Sequence, residues 1–225
     1  AVESCNRLQI LSWTHHFQVA ALEPDEQNYW LNKALEEGMS VSDLRKAIKQ
    51  EKALLNQPEF PAGTYEVIYA DPPWSYENSG FNQSAEMQYP TMSTDDICAL
   101  RVNELANENT VLFMWATSPL LPDAIRVIEA WGFQYRASMV WVKDRAPGMG
   151  WWLNTKHELL LIASKGINHP LEKLDSVIMA PVRKHSQKPE EFYEAIEKMY
   201  KGNKIELFAR EAREGWEAWG NEVKQ

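Results

Sequence analysis

Beyond residue 61 the chain alternates between two kinds of segment. Short runs rich in β-branched and aromatic residues cover 65–70, 111–116, 137–142, 158–163, 176–180 and 204–208. Helical stretches lie among them: one opened by Thr94, one opened by Ser118-Pro119 and ended by Gly132, and one opened by Pro189 and ended near Gly202. Parallel neighbours need a long crossover, and a helix is the usual one. Alternation of this length predicts an α/β fold, a mostly parallel sheet with helices on both faces. Ligands of such sheets sit beyond the carboxyl ends of the strands, so a site is expected among the residues that follow each run.

Ahead of this alternation the character changes, and residues 12–55 read as short helices alone. Pro24 stands at a first helical position, acidic Asp25 and Glu26 follow it, and Gly38 closes that helix. Ser40 or Ser42 caps a second helix whose inner face is Leu44, Ala47, Ile48 and Leu55. Helix, Gly-containing turn, helix is the outline of a helix-turn-helix and equally of a small bundle that packs on a neighbour. Pro58, Pro61 and Gly63 mark a linker over 56–63. The chain therefore divides into a small helical N-terminal domain, residues 1–60, and an α/β domain, residues 61–225.

Composition removes whole classes of function. With 44% hydrophobic and 24% charged residues the chain is globular, not disordered. The longest apolar run, residues 111–116, is too short for a bilayer, and no signal segment opens the chain, so a cytoplasmic protein without membrane contact is expected. Ala1 in place of Met predicts a trimmed or internal piece of a longer product. Cys5 and Cys98 cannot build a disulfide framework or a zinc site, and the adjacent His15 and His16 do not share a helix face, so no metal is expected. A net charge of −9 argues against non-specific nucleic-acid affinity, yet residues 141–188 carry eight basic against four acidic side chains, a net +4. That stretch is either a local polyanion contact or a solvated surface.

Asp71-Pro72-Pro73-Trp74 follows the first β-rich run directly. Two prolines cannot continue a ladder, so the chain turns there, at the ligand edge. Alone, the motif is a turn with a buried tryptophan. In this position it also suits methyl transfer to an exocyclic amino group. The amino lone pair of adenine is delocalised into the ring, which makes that nitrogen a weak nucleophile. A carboxylate accepting one N–H and a rigid backbone carbonyl accepting the other draw it toward tetrahedral geometry, lone pair facing the incoming methyl group. The aromatic ring offers a stacking face to a base taken out of its helix, and Asp71 can accept the proton released after transfer.

With these residues the chain resembles the MT-A70 family of S-adenosylmethionine-dependent adenine-N6 methyltransferases, of bacterial or phage type. The resemblance covers residues 62–223 and rests on segments in family order. They are YEVIYADPPW at 65–74, QYPTMS at 88–93, VLFMWAT at 111–117, Trp141-Val142-Lys143 and His157-Glu158. SQKPE at 186–190, KIELFAR at 204–210 and WGNE at 219–222 complete the set. KIELFAR stands where many methyltransferases have a glycine fingerprint, as is usual in this permuted family.

The resemblance implies a Rossmann-like methyltransferase sheet and S-adenosyl-L-methionine as cofactor, with S-adenosyl-L-homocysteine as product. It implies nucleic acid as partner, DNA ahead of RNA, and leaves a homodimer open. The alternatives are the same reaction on RNA and a catalytically silent DNA-binding or scaffold partner. Asp71, Pro72, Pro73 and Trp74 would be catalytic, Asp71 also meeting the cofactor. Tyr89, Glu158 and Lys143 would face the acceptor adenine. Lys188 would meet the cofactor carboxylate, Phe208 and Arg210 its ribose and methionine parts, Asn221 and Glu222 its ribose-adenine end. Ala212 and Arg213 replace polar cofactor contacts of some members. Trp115, Trp131 and Trp141 read as core packing. Trp151 and Trp152 are adjacent in a Gly-bearing loop and cannot both face one core, which makes Trp152 a candidate for substrate stacking or subunit contact.

Overall fold

The computed structural model describes residues 10–55, 58–75, 91–144, 152–183, 187–221 and 223, and they divide into two compact units. The first holds three helices, α1 (Trp13–Val19), α2 (Pro24–Glu36) and α3 (Val41–Leu55). α2 starts at Pro24, with Glu26 accepting from the Glu23 backbone N–H. It ends where Gly38 takes a φ of 62° and the Met39 N–H turns back to the Ala34 carbonyl, a left-handed cap that suits glycine. Ser40, and not Ser42, caps α3: its hydroxyl accepts from the Asp43 N–H, and Asp43 accepts from the Ser40 N–H in return. Val19, Leu22, Trp30, Leu31, Ala34, Leu44 and Ile48 form the core of this unit.

The second unit is built on a seven-stranded sheet: β1 (Tyr65–Ala70), β2 (Ala106–Ala116), β3 (Gln134–Asp144), β4 (His157–Ser164), β5 (Val177–Pro181), β6 (Lys204–Leu207) and β7 (Glu217–Trp219). Their order is β5-β3-β4-β2-β1-β6-β7. Helices α4 (Thr94–Cys98), α5 (Leu121–Ala130) and α6 (Glu190–Met199) are the three expected from the sequence. The pairs β3–β5, β1–β2, β1–β6 and β6–β7 are parallel, as expected. β4 departs from the pattern, running antiparallel to both β2 and β3. About a dozen residues separate Asp144 from His157, the lower limit for a parallel crossover, and the chain doubles back instead. β7 adds a strand that no β-rich run announces, since its three residues are too few for a periodic signal.

Successive strand residues point to opposite faces, and both faces are covered. Val67, Tyr69, Val111, Phe113, Trp115, Met139 and Trp141 pack on one face with Phe192, Ala195, Ile196 and Met199 of α6. Ile68, Leu112, Met114 and Leu161 are equally buried on the other, where α5 lies against β2 and β3 and buries Ala124, Val127 and Ile128. The Trp131 indole donates to the Ile97 carbonyl and ties α5 to α4. Trp115, Trp131 and Trp141 are all in the core, as read from the sequence. No described helix is long and apolar enough to cross a membrane.

Candidate active site

β1 lies between β2 and β6, so the tetrapeptide that follows it emerges at the middle of the sheet's carboxyl edge. The turn is clipped by backbone bonds. The Met92 N–H donates to the Pro73 carbonyl at 2.7 Å, and the Ser75 N–H donates to the Met92 carbonyl at 3.0 Å. The Pro72 carbonyl accepts from the Trp74 N–H, two residues on, at 2.9 Å. Trp74 is 8% exposed, and its indole N–H donates to the Trp115 carbonyl at 3.1 Å. Its ring thus anchors the turn and leaves little of its face open.

Four charges of alternating sign meet beside this turn. Lys188, just ahead of α6, places Nζ 2.9 Å from Asp71 Oδ1 and 3.3 Å from Glu158 Oε2. Lys143 Nζ donates to the other Glu158 oxygen at 2.5 Å. The antiparallel β4 makes this possible. Its first residues, His157 and Glu158, lie at the same edge as the last residues of β3, paired with Val142 and Trp141. The Lys188 ammonium also stands 5.1 Å from the centre of the Trp115 ring. Burial works to lower the Lys188 pKa, but Asp71 and Glu158 hold it well above the ordinary lysine value. Burial pushes Asp71 up against the pull of Lys188, and would raise Glu158 too, were Lys188 and Lys143 not holding it below the usual carboxylate range. Glu158, expected at the substrate, and Lys188, expected at the cofactor, are brought together by the fold as one ion pair.

A second ridge follows β6. Phe208 has a φ of 63°, rare for a residue with a side chain, and its ring meets Trp219 edge-on. The Ala209 N–H donates to the Trp219 carbonyl at 2.9 Å, and a Cβ on Gly220 would run into the Ala209 carbonyl. Arg210 acts electrostatically on Asp71, and Asn221 is exposed just beyond β7. Arg213 pairs with Glu190 and Glu197 and lies over the Tyr193 ring, clamping the β6–β7 connection onto α6. Trp152 stands 97% exposed. Tyr89, Glu222, Trp151, Lys184 and His185 lie outside the described residues. Trp115, Tyr69, Tyr193 and Glu206, which line the underside of the site, were not singled out as site residues from sequence. The available signals were an inward-facing second tyrosine in YEVIYA and a glutamate inside KIEL.

Residues 65–222 match the family model described as MT-A70. The chain belongs to the MT-A70 family. One relative, the Type II methyltransferase M.MunI of a Mycoplasma species, is 34% identical over 189 residues, 74% of this chain and 81% of that protein. The N(6)-adenosine-methyltransferase MT-A70-like of Arabidopsis thaliana is 34% identical over 172 residues, 72% of this MT-A70 chain but 24% of its own length. The N(6)-adenosine-methyltransferase catalytic subunit METTL3 of Homo sapiens is 32% identical over 173 residues, again 72% of this chain and 28% of its own. This MT-A70 chain therefore spans most of M.MunI and about a quarter of the two longer relatives.

Proposed function

We propose that this MT-A70 protein transfers a methyl group from S-adenosyl-L-methionine to the N6 amine of adenine in a nucleic acid, DNA being the favoured polymer. The observation that carries the reading is the buried Asp71–Lys188–Glu158 cluster beside a clipped Asp-Pro-Pro-Trp turn. The cofactor supplies an electrophilic methyl group, and the residues suit it. Its methionyl end bears a carboxylate and an ammonium, and Lys188 and Asp71, 2.9 Å apart, offer the opposite charges side by side. Phe208, Arg210 and Asn221 follow the neighbouring strands β6 and β7, where the ribose and adenine parts belong.

Toward the acceptor base, Asp71 accepts one amine N–H. Both proline carbonyls accept a backbone N–H, Pro73 from Met92 across the clip and Pro72 from its near neighbour Trp74, and the second lone pair of Pro72 is the one we assign to the other amine N–H. Both acceptors are fixed before the base arrives, which is where the catalytic benefit lies. Burial raises the Asp71 pKa, which favours Asp71 as the acceptor of the released proton. The Glu158 carboxylate, held ionised by two lysines, remains an acceptor for base or ammonium groups. Trp74 fixes the turn, and the open part of its face is what remains for stacking.

DNA is favoured because the relative that this chain spans over 81% of its length is a Type II methyltransferase. RNA is the second reading, carried by likeness to N(6)-adenosine-methyltransferases. The intact tetrapeptide and the buried Lys188 speak against a silent scaffold. A labelled-methyl assay with duplex DNA, single-stranded DNA and RNA side by side, followed by nucleoside analysis, tests the reading. N6-methyladenine in a DNA arm is expected. Label in RNA alone would transfer the assignment to RNA, and no label in any arm despite cofactor binding would overturn it.

A further inference from the structure

Beneath the charge cluster the protein buries a second polar series that the proposed reaction does not use. The Trp115 indole N–H donates to the Tyr69 hydroxyl at 2.6 Å, and the Tyr69 ring packs on the Tyr193 ring with centroids 4.9 Å apart. Tyr193 donates to Glu206 Oε1 at 2.9 Å. An indole nitrogen can only donate, so the Tyr69 oxygen accepts, and the position of Tyr69 is set by Trp115 on one side and the Tyr193 ring on the other. The Tyr193 proton points to Glu206. Two hydrogen bonds joined by a ring contact thus make up the series, and it closes on a carboxylate, which accepts from Tyr193 without a proton of its own. Tyr69 and Trp115 are at most 1% exposed and Glu206 9%, so each group depends on the next.

The series begins at a hub. The Trp115 carbonyl holds the Trp74 indole, and the Trp115 ring seats the Lys188 ammonium, itself 2.9 Å from Asp71. Phe192 and Trp141 meet that ring edge-on, and its N–H is the one polar handle that sets its orientation. We propose that Glu206 is a positioning residue: through Tyr193, Tyr69 and Trp115 it fixes the seat of Lys188 and thereby the Asp71 carboxylate. The proposal rests on the methyl-transfer reading only for what Lys188 and Asp71 do once placed.

Several groups act on Glu206: Tyr193 from α6, Asp71 from the turn after β1, and Arg213 and Glu211 from the β6–β7 connection. Burial foremost raises its pKa to about 7, so both forms are populated near neutral pH. When protonated, Glu206 accepts from Tyr193 only as a neutral group, and the charge-assisted bond is lost.

The test follows the Trp115 indole N–H by NMR in the full chain, assigned with Trp115→Phe, from about pH 5 to about pH 9. Wild type, Glu206→Gln and Tyr193→Phe are compared, with thermal midpoints recorded to establish that each folds. The wild-type signal should move with a midpoint of about 7, and both variants should abolish that movement. Methyl transfer by Glu206→Gln should show a kcat about five- to tenfold lower, KM for nucleic acid unchanged, and no step near neutral pH. An indole titration that survives in Glu206→Gln, or a wild-type rate and pH profile in that variant, would overturn the proposal. If the wild-type chain transfers no methyl group, the methyl-transfer reading fails, and the indole titration still decides whether Glu206 governs Trp115.

Discussion

Lys188 is the residue on which most of the site converges, because two carboxylates and an aromatic face share its ammonium. Removing it would strip the buried Asp71 of the cation 2.9 Å away. Lys188→Met should therefore lose cofactor affinity by calorimetry and also cost about 3–5 kcal/mol of stability in denaturant unfolding. Unchanged cofactor affinity would remove Lys188 from the cofactor site. Asp71→Asn keeps the shape and removes the charge, so turnover should fall about a hundredfold or more while cofactor affinity changes less, as read from single-turnover rates. Glu206 has the opposite sign from a stabilising ion pair. Its folded pKa of about 7 lies above the ordinary glutamate value, so the folded state holds the proton more tightly. Stability should accordingly fall as pH rises from about 4.5 to about 7. Denaturant midpoints across that range should flatten in Glu206→Gln, and equal slopes would show that Glu206 titrates normally. Asp71, Glu158 and Lys188 were legible in the sequence because they lie in contiguous family segments. The Trp115–Tyr69–Tyr193–Glu206 series was not, since its members come from β2, β1, α6 and β6 and meet only across the packed face.

Among the elements, β4 matters most for having the direction the sequence did not reveal. A parallel β4 would put Glu158 at the far edge of the sheet; the antiparallel strand brings it to Lys143 and Lys188. Strand positions were legible from β-rich composition, but direction depends on the connection, and apolar residues look alike read either way. The turn after β6 depends on a close approach that only glycine permits. Gly220→Ala would force its new methyl group into the Ala209 carbonyl, one residue from Phe208 and Arg210. It should cost about 1–3 kcal/mol and weaken cofactor binding. A wild-type melting profile with normal cofactor affinity would show that this turn yields without consequence.

For the molecule as a whole, the chain is acidic at −9, and a nucleic-acid partner must be met through local basic surface. In the helical unit, Arg45 and Lys52 of α3 are exposed, with the Arg45 Nε donating to Gln18. If that unit is a nucleic-acid arm, a chain starting at Pro58 should lose DNA affinity and keep cofactor binding. Normal DNA binding with an altered sedimentation mass would make it an assembly element. The cut belongs at 58 and not after 60, because the Pro58 carbonyl accepts from the Trp219 indole and Phe60 packs on the Trp219 ring. A linker was legible there from its prolines and glycine, but not that its later part is bound into the second unit. The clip between Pro73, Ser75 and Met92 has a consequence of another kind. With Ser75 and Met92 bonded directly to each other, the entropic cost of closure grows only logarithmically with the number of residues between them. A change in that number of residues should therefore leave Asp71 and the two proline carbonyls where they are, because the bonds that hold the turn are local to it.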